Sequence, residues 1–344
     1  MRCDSPLARQ RLPLAVTMGE PAGIGGEIIC KAWARRNEEL APFFVIDDPD
    51  RLVTVSRCLG RTIPVSVIAT PAEAVSMFAH ALPVLPESLA VTSIPGQPDP
   101  ANAQAVIASI ARAVALVQEG YAAAVVTNPI HKKTLYGTDF PYPGHTEFLA
   151  ALAGSDLHPV MMLACPGLRV VPVTIHTSLR EAITTLKTVD IVLCGRITAH
   201  ALRTDFGIMR PRLAVAALNP HAGEGGTMGE EEDTLIRPAI KALRAEGVAA
   251  SGPTPADTLF HAGARTGYDA VLCMYHDQAL IPLKTIDFMG GINITLGLPF
   301  VRTSPDHGTA FDIAGSGRAD EASLMQALRI AEKMAVRRLT RADM

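Results

Sequence analysis

The chain has 344 residues, 31 basic and 34 acidic, for a formal charge of −3. Its 48% hydrophobic content and mean hydropathy of +0.23 supply a large core and exclude an intrinsically disordered chain. Near-balanced charge offers no basic field to nucleic acid or to an anionic membrane. Along the chain, Leu12–Met18 predicts a strand, a glycine turn follows, and Glu27–Trp33 predicts a helix. Phe43–Ile46 and Ile63–Ile68 are further expected strands. Residues 102–118 place alanine, isoleucine and valine at three- and four-residue spacing, which predicts a helix. The apolar runs Ala122–Thr127, Val160–Ala164, Val170–His176, Leu213–Leu218, Ala270–His276 and Ile292–Leu296 predict strands. Helices are expected near 147–153, 180–206, 233–246 and 320–337. Proline-rich Leu82–Pro100 is expected to be a connecting excursion.

Repeated strand–helix alternation is the signature of an α/β sheet layered between helices. Six scattered cysteines, at 3, 30, 58, 165, 194 and 273, form no CxxC pair and predict a reduced, cytoplasmic protein. Met1–Arg11 is polar, carries three arginines and does not resemble a secretory signal. The most apolar stretch, Pro159–Ile175, holds three prolines, a glycine and Arg169, so it cannot cross a bilayer as a clean helix.

Polar residues gather where strands are expected to end, and in α/β sheets ligands bind beyond the carboxyl ends of strands. His176, His221 and His276 each close an apolar run. Three neutral imidazoles with open positions suit a catalytic divalent metal, and three separately satisfied strand-end histidines explain the pattern as well. Gly19–Glu27 lies between a strand and a helix, where backbone N–H groups can face an anion; a simple strand–helix turn accounts equally for its glycines. Lys284, Asn293 and Arg302, with Gly144-His-Thr-Glu147 as neighbours, suit a phosphate. Thr146 could equally be a helix N-cap, with Glu147 as a first-turn acid. His307–Gly315 combines small residues with a histidine and an aspartate, as a nucleotide-binding loop does. Asp257 and Asp277 lie near expected strand ends and are candidates for a base or an orienting group. His80, His131, His158, His200 and His261 carry no such pattern.

Several long motifs, in order, carry a resemblance. They are Thr17-Met-Gly-Glu-Pro-Ala-Gly-Ile-Gly25, Pro143-Gly-His-Thr-Glu147, Leu218–Gly226, Met274-Tyr-His-Asp-Gln278 and Gly297–Gly315. Over essentially its whole length the chain resembles the 4-hydroxythreonine-4-phosphate dehydrogenase family of the vitamin B6 pathway. Glu20 stands where that family usually has aspartate, Gly26 where proline is frequent, and His131 where asparagine is common. The resemblance implies an isocitrate/isopropylmalate dehydrogenase-like α/β fold, with two lobes around a central cleft, and not a Rossmann domain. Residues 1–140 plus 297–344 would form the first lobe, and 141–296 the second, with the metal site and dimer interface.

The resemblance places one divalent metal per subunit (zinc, magnesium or cobalt) on His176, His221 and His276. It places the substrate on His145, Thr146, Lys284, Asn293 and Arg302. His307, Gly308, Thr309 and Asp312 match the nucleotide loop of isopropylmalate dehydrogenases, which implies NAD or NADP. Asp257, Asp277 and His145 are left as proton-handling or orienting candidates. The implied protein is a homodimer with its active site at the interface, acting on a small phosphorylated hydroxy amino acid. The implied reaction oxidises 4-phosphooxy-L-threonine to 2-amino-3-oxo-4-phosphooxybutanoate, which decarboxylates to 3-amino-2-oxopropyl phosphate. Alternatives are a D-threonate or D-erythronate 4-phosphate dehydrogenase and, on a related fold, an acyl-phosphate transferase.

Overall fold

Strand β1 (Leu14–Thr17) is buried at all four positions, as an apolar run covered on both faces should be. The computed structural model describes residues 12–136, 138, 140–142, 144–154 and 157–342. Cys3, the Met1–Arg11 segment and Pro143 therefore lie outside the described residues. The described residues fall into two compact units. The first takes those within Met1–Gly144, Phe300–Arg302 and His307–Glu332; the second takes those within His145–Pro299, Thr303–Asp306 and Lys333–Met344.

In the first unit, β1 is followed by β2 (Phe43–Asp47), β3 (Val65–Val67), β4 (Leu82–Pro86) and β5 (Val125–Val126). These pair in the order β3-β4-β2-β1-β5, all parallel. Parallel pairing demands crossovers, and helices supply them. Gly25–Ala34 follows β1, Pro49–Cys58 follows β2 and Pro71–Met77 follows β3. The second of these begins where Asp48 accepts from the N–H groups of Asp50 and Arg51, with proline at the first helical position. The helical stretch Pro100–Gln118, which contains helix Ala103–Gln118, is apolar enough to cross a membrane by length and composition. Here Val106, Ile110, Ala113 and Val114 are buried, and the helix packs on β1 and β2. Its buried Ser109 hydroxyl accepts from Met18 N–H (3.0 Å) and donates to the Ile46 carbonyl (2.8 Å), tying the ends of those two strands.

The second unit carries β6 (Val160–Cys165), β7 (Leu168–Pro172), β8 (Arg212–Ala216), β9 (Ala249–Thr254), β10 (Ala270–Cys273) and β11 (Ile292–Leu296). They run β11-β6-β7-β10-β8-β9. The β11-β6 and β6-β7 pairs are antiparallel; the remaining pairs are parallel. Leu163, Val170, Val271, Ala216 and Leu283 form one buried cluster under this sheet. The last strand, β12 (Arg302–Pro305), gives Arg302 to the first unit and Thr303–Pro305 to the second.

Several expectations change in detail. Leu82–Pro100 begins with a true strand, β4, rather than a continuous excursion. The helix expected over 180–206 is two, Leu179–Thr185 and Thr188–Thr204, because Leu186 and Lys187 adopt extended backbone between them. Residues after Lys333 were expected with the first lobe and pack with the second unit. The reason is local: the Arg338 guanidinium makes paired 2.8 Å bonds to the buried Asp205 carboxylate and donates to the Leu298 carbonyl.

Candidate active site

Three adjacent parallel strands, β7, β10 and β8, each run into a predicted histidine. His176 lies four residues beyond β7, His276 three beyond β10 and His221 five beyond β8. The order β7-β10-β8 puts His276 on the central strand of the three. The strand ends are cross-tied. Thr174 donates its hydroxyl to the Met274 carbonyl (2.8 Å), and Gln278 bridges Met274 N–H (2.7 Å) to the Ala217 carbonyl (2.6 Å). Three strands therefore hand three imidazoles to one edge of the sheet.

His176 and His276 line a common hollow of about 220 Å³ with Thr174, Leu179, Tyr275 and Asp277. Their ring centroids are 6.1 Å apart. Two imidazoles on one tetrahedral ion would have centroids about 5 Å apart, given metal–nitrogen bonds near 2 Å. His276 shares a 2.7 Å hydrogen bond between Nδ1 and the Asp277 carboxylate. With Nδ1 protonated, that contact orients the ring and leaves the Nε2 lone pair as the ligating site, the usual outer support of a metal-bound histidine. These two residues suit a divalent cation by donor type, and their rings stand about 1 Å wider apart than one tetrahedral ion would set them. His221 does not line this hollow, and among the described residues no three His, Cys, Asp or Glu side chains of one chain group as metal ligands.

His221 is held in unusual backbone. Residues 221–225 all have positive φ: 52° at His221, 55° at Ala222, 76° at Gly223, 42° at Glu224 and 65° at Gly225. A left-handed run including three non-glycine residues costs roughly 1–2 kcal/mol for each of them, so surrounding contacts must hold it. Glu232, buried, accepts from the N–H groups of Leu218 (2.8 Å) and Asn219 (2.7 Å) and from the Asn219 amide (2.9 Å). The Gly223 Cα packs so closely on this carboxylate that a Cβ would meet Oε2 at 2.7 Å. His176 also has positive φ, 43°. Backbone strain thus collects at two of the three predicted metal histidines.

The predicted substrate residues occupy both units. In the second, Lys284 lies in the last turn of helix His276–Ile286, forms a 2.7 Å ion pair with the Asp306 carboxylate and donates to the Asp306 carbonyl at 2.7 Å. Asn293 sits on β11, and its buried Oδ1 has no hydrogen-bond partner among the described residues. A buried, unsatisfied amide oxygen costs about 1–3 kcal/mol. His145 opens helix His145–Ala153, and Thr146 lies inside its first turn rather than at the cap. In the first unit, Arg302 is 3% exposed and donates from Nε (3.2 Å) and Nη2 (2.6 Å) to the Thr127 hydroxyl. Burial pushes its guanidinium down to about 10, which leaves it cationic at neutral pH. Asp257 is exposed on the turn Ala256–Thr258, and among the described contacts none joins it to the histidines or to Lys284.

The glycine turn is held by four of its own N–H groups. Glu20 N–H donates to Pro129 (2.8 Å), Ala22 N–H to the Glu20 carboxylate (3.1 Å), Gly23 N–H to Glu20 (3.0 Å) and Ile24 N–H to Thr309 (3.1 Å). These four donors are engaged within the protein, and the turn seats the loop that begins at His307. In that loop Gly308 and Asp312 are exposed, and His307 and Thr309 half-buried.

The family model for pyridoxal phosphate biosynthetic protein PdxA matches residues 39–331. The chain belongs to the PdxA family. A 4-hydroxythreonine-4-phosphate dehydrogenase from Bradyrhizobium diazoefficiens is 53% identical over 94% of this chain and 97% of its own length. Its counterpart from Caulobacter vibrioides is also 53% identical, over 95% of this chain and 98% of its own. The crystal structure of 4-hydroxythreonine-4-phosphate dehydrogenase from Klebsiella pneumoniae is 40% identical. It covers 94% of this chain and 99% of its own, with a TM-score of 0.85.

Within this PdxA chain, four supporting residues escape sequence reading. Asp306 holds Lys284, Thr127 holds Arg302, Glu232 braces the His221 turn and Gln278 links two strand ends. Thr127 closes an apolar strand and Gln278 follows His276, so position alone offered a hint for those two. Glu232 lies in an acidic run that reads as an exposed helix start; its burial comes from tertiary packing alone.

Proposed function

We propose that the chain is an NAD(P)-dependent dehydrogenase that oxidises 4-phosphooxy-L-threonine at its secondary alcohol. The observation that carries this reading is 53% identity, along nearly the full length of both chains, to relatives of that name. Carbon 3 loses hydride to the nicotinamide and its hydroxyl loses a proton, giving 2-amino-3-oxo-4-phosphooxybutanoate. This β-keto acid releases its carboxyl carbon as carbon dioxide and takes up a proton to give 3-amino-2-oxopropyl phosphate, a precursor for pyridoxine 5′-phosphate.

The histidines His176, His221 and His276 would hold one divalent cation: zinc, magnesium or cobalt. When bound, such an ion supplies Lewis-acid polarisation, first of the substrate hydroxyl and then of the new carbonyl. The donor chemistry of His176 and His276 supports this, and so does the Asp277 carboxylate behind His276. His221 lies outside their hollow, which supports a homodimer in which the third imidazole is the partner's His221. Exposed apolar side chains on the same unit suit such a contact: Leu179, Ile183, Ile281 and Phe288 are 58%, 42%, 64% and 70% exposed.

The protein's own groups then divide the work. Arg302 and Lys284 neutralise the substrate phosphate, and the Asn293 amide, His145 and Thr146 add hydrogen bonds. Fixing the remote phosphate orients the reacting carbon. His145, Asp277 and Asp257 remain the proton-handling candidates, with Asp277 best placed through His276. His307, Gly308, Thr309 and Asp312 would take the adenosine of NAD or NADP.

The fold reading is isocitrate/isopropylmalate dehydrogenase-like. The order β3-β4-β2-β1-β5 departs from the 3-2-1-4-5 arrangement of a dinucleotide-binding domain, which supports it. A cytoplasmic setting is supported by the free thiols Cys30, Cys58, Cys165, Cys194 and Cys273, which form no disulfide with one another. The test is absorbance at 340 nm with 4-phosphooxy-L-threonine and NAD+ or NADP+. NAD(P)H should form, vanish after dialysis against a chelator and return with divalent metal. Persistence of full activity after complete metal removal would reject the metal role, and an absence of NAD(P)H would reject the dehydrogenase.

A further inference from the structure

The first helix, Gly25–Ala34, carries Glu27 and Lys31 four residues apart, so both side chains leave the same face. Each reaches the same distant loop. The Glu27 carboxylate, in a residue 3% exposed, accepts from Gly315 N–H in a short hydrogen bond and from Gly317 N–H at 3.1 Å. The Lys31 ammonium donates to the Gly317 carbonyl at 2.7 Å and to the Ala319 carbonyl in a short bond. Along the loop backbone two donors are followed by two acceptors, and the two side chains match them with opposite charge.

The other end of the loop is seated by the glycine turn. Ile24 N–H donates to the Thr309 carbonyl at 3.1 Å. A Cβ on Gly23 would come to 2.9 Å from that oxygen and 3.2 Å from the Thr309 Cβ, so only glycine lets the loop approach this closely. Gly315, at φ 78°, rests on Pro95, where a Cβ would meet ring carbon at 2.8 Å. The loop from Thr309 to Ala319 is thus fixed from one side at four places, and the Asp312 side chain between them is exposed.

We propose that Glu27 and Lys31 are positioning residues for the nicotinamide cofactor. They hold the backbone of the Thr309–Ala319 loop in the shape that presents Asp312 and its neighbours to the adenosine end. This rests on reading His307–Gly315 as the nucleotide loop, and it goes further by assigning the loop's geometry to two side chains of the first helix. A charged group accepting or donating two backbone hydrogen bonds is among the stronger single anchors available. Glu27→Gln keeps the size but turns an amide NH₂ toward one of two N–H donors. Lys31→Met keeps the stem and removes both donors.

The experiment titrates the dialysed full-length protein with NADH and NADPH by fluorescence, alongside steady-state kinetics and thermal melts. Glu27→Gln and Lys31→Met should each raise the cofactor Kd and KM about tenfold. The KM for the phosphorylated substrate and the metal content should stay close to wild type, and Tm should fall by no more than a few degrees. Glu27→Asp should recover part of the loss. Asp312→Ala serves as the separate test of the loop itself. If Asp312→Ala weakens cofactor binding while Glu27→Gln and Lys31→Met do not, the clamp is overturned and the loop reading stands. If Asp312→Ala leaves cofactor binding unchanged, the loop reading falls and takes the clamp with it. Parallel losses in Tm and in both KM values would show a merely structural role and also overturn the proposal.

Discussion

His176→Ala and His221→Ala, each nearly inactive alone, are expected to regain activity when the two proteins are mixed and allowed to exchange subunits. In the proposed dimer each cation is held by His176 and His276 of one protomer and by the partner's His221. Either substitution alone removes a ligand from both sites. Loss of Lewis-acid stabilisation is worth several kcal/mol, so kcat/KM should fall at least about 10³-fold. In a hybrid, the protomer with intact His176 faces an intact imidazole from its neighbour, and one of two sites is whole. Random exchange makes half the dimers hybrid, so recovery should approach about a quarter of wild-type activity. Metal content should rise with it. If all three histidines of one chain met on one ion, mixing would restore nothing. The geometry behind this is the shared hollow of His176 and His276, from which His221 is missing.

Arg302→Met is expected to raise the KM for 4-phosphooxy-L-threonine by about 100-fold, the worth of one or two charge-assisted hydrogen bonds to phosphate. The KM for NAD(P)+ should move little. Arg302 is almost wholly buried, and Thr127 takes both its Nε and Nη2, so its head is fixed before substrate arrives. Lysine cannot reproduce two donors in one plane, so Arg302→Lys should recover only part of the loss. Thr127→Val should loosen the same guanidinium and give a smaller rise. An unchanged substrate KM in Arg302→Met, with Tm preserved, would remove Arg302 from the phosphate site.

The apolar strands were readable because a strand buried on both faces leaves an unbroken hydrophobic run, as in Ala270–Cys273 and Phe43–Asp47. The histidines were readable for a related reason, since polarity resumes abruptly where such a strand ends. β4 escaped because Pro83 and Pro86 resemble loop punctuation, although parallel neighbours pair with it. The helix His276–Ile286 was hidden by Pro282 within it and by the apolar run before it. At the candidate site, residue types were legible and partners were not. Nothing in the spacing of Lys284 and Asp306 predicts a 2.7 Å ion pair, because they stand 22 positions apart with the two strands β11 and β12 between them. The glycine turn was legible as a turn, but only the structure shows four of its N–H groups engaged by Pro129, Glu20 and Thr309.

The most direct measurement uses 4-phosphooxy-L-threonine labelled with ¹³C at its carboxyl carbon, offered beside D-threonate and D-erythronate 4-phosphates under identical conditions. With the labelled substrate, NAD(P)H and ¹³CO₂ should appear in equal amounts, and kcat/KM should exceed that for either competitor by at least about tenfold. Reduced cofactor from a D-sugar acid phosphate at a higher kcat/KM, or no reduced cofactor from the amino acid at all, would contradict the assignment.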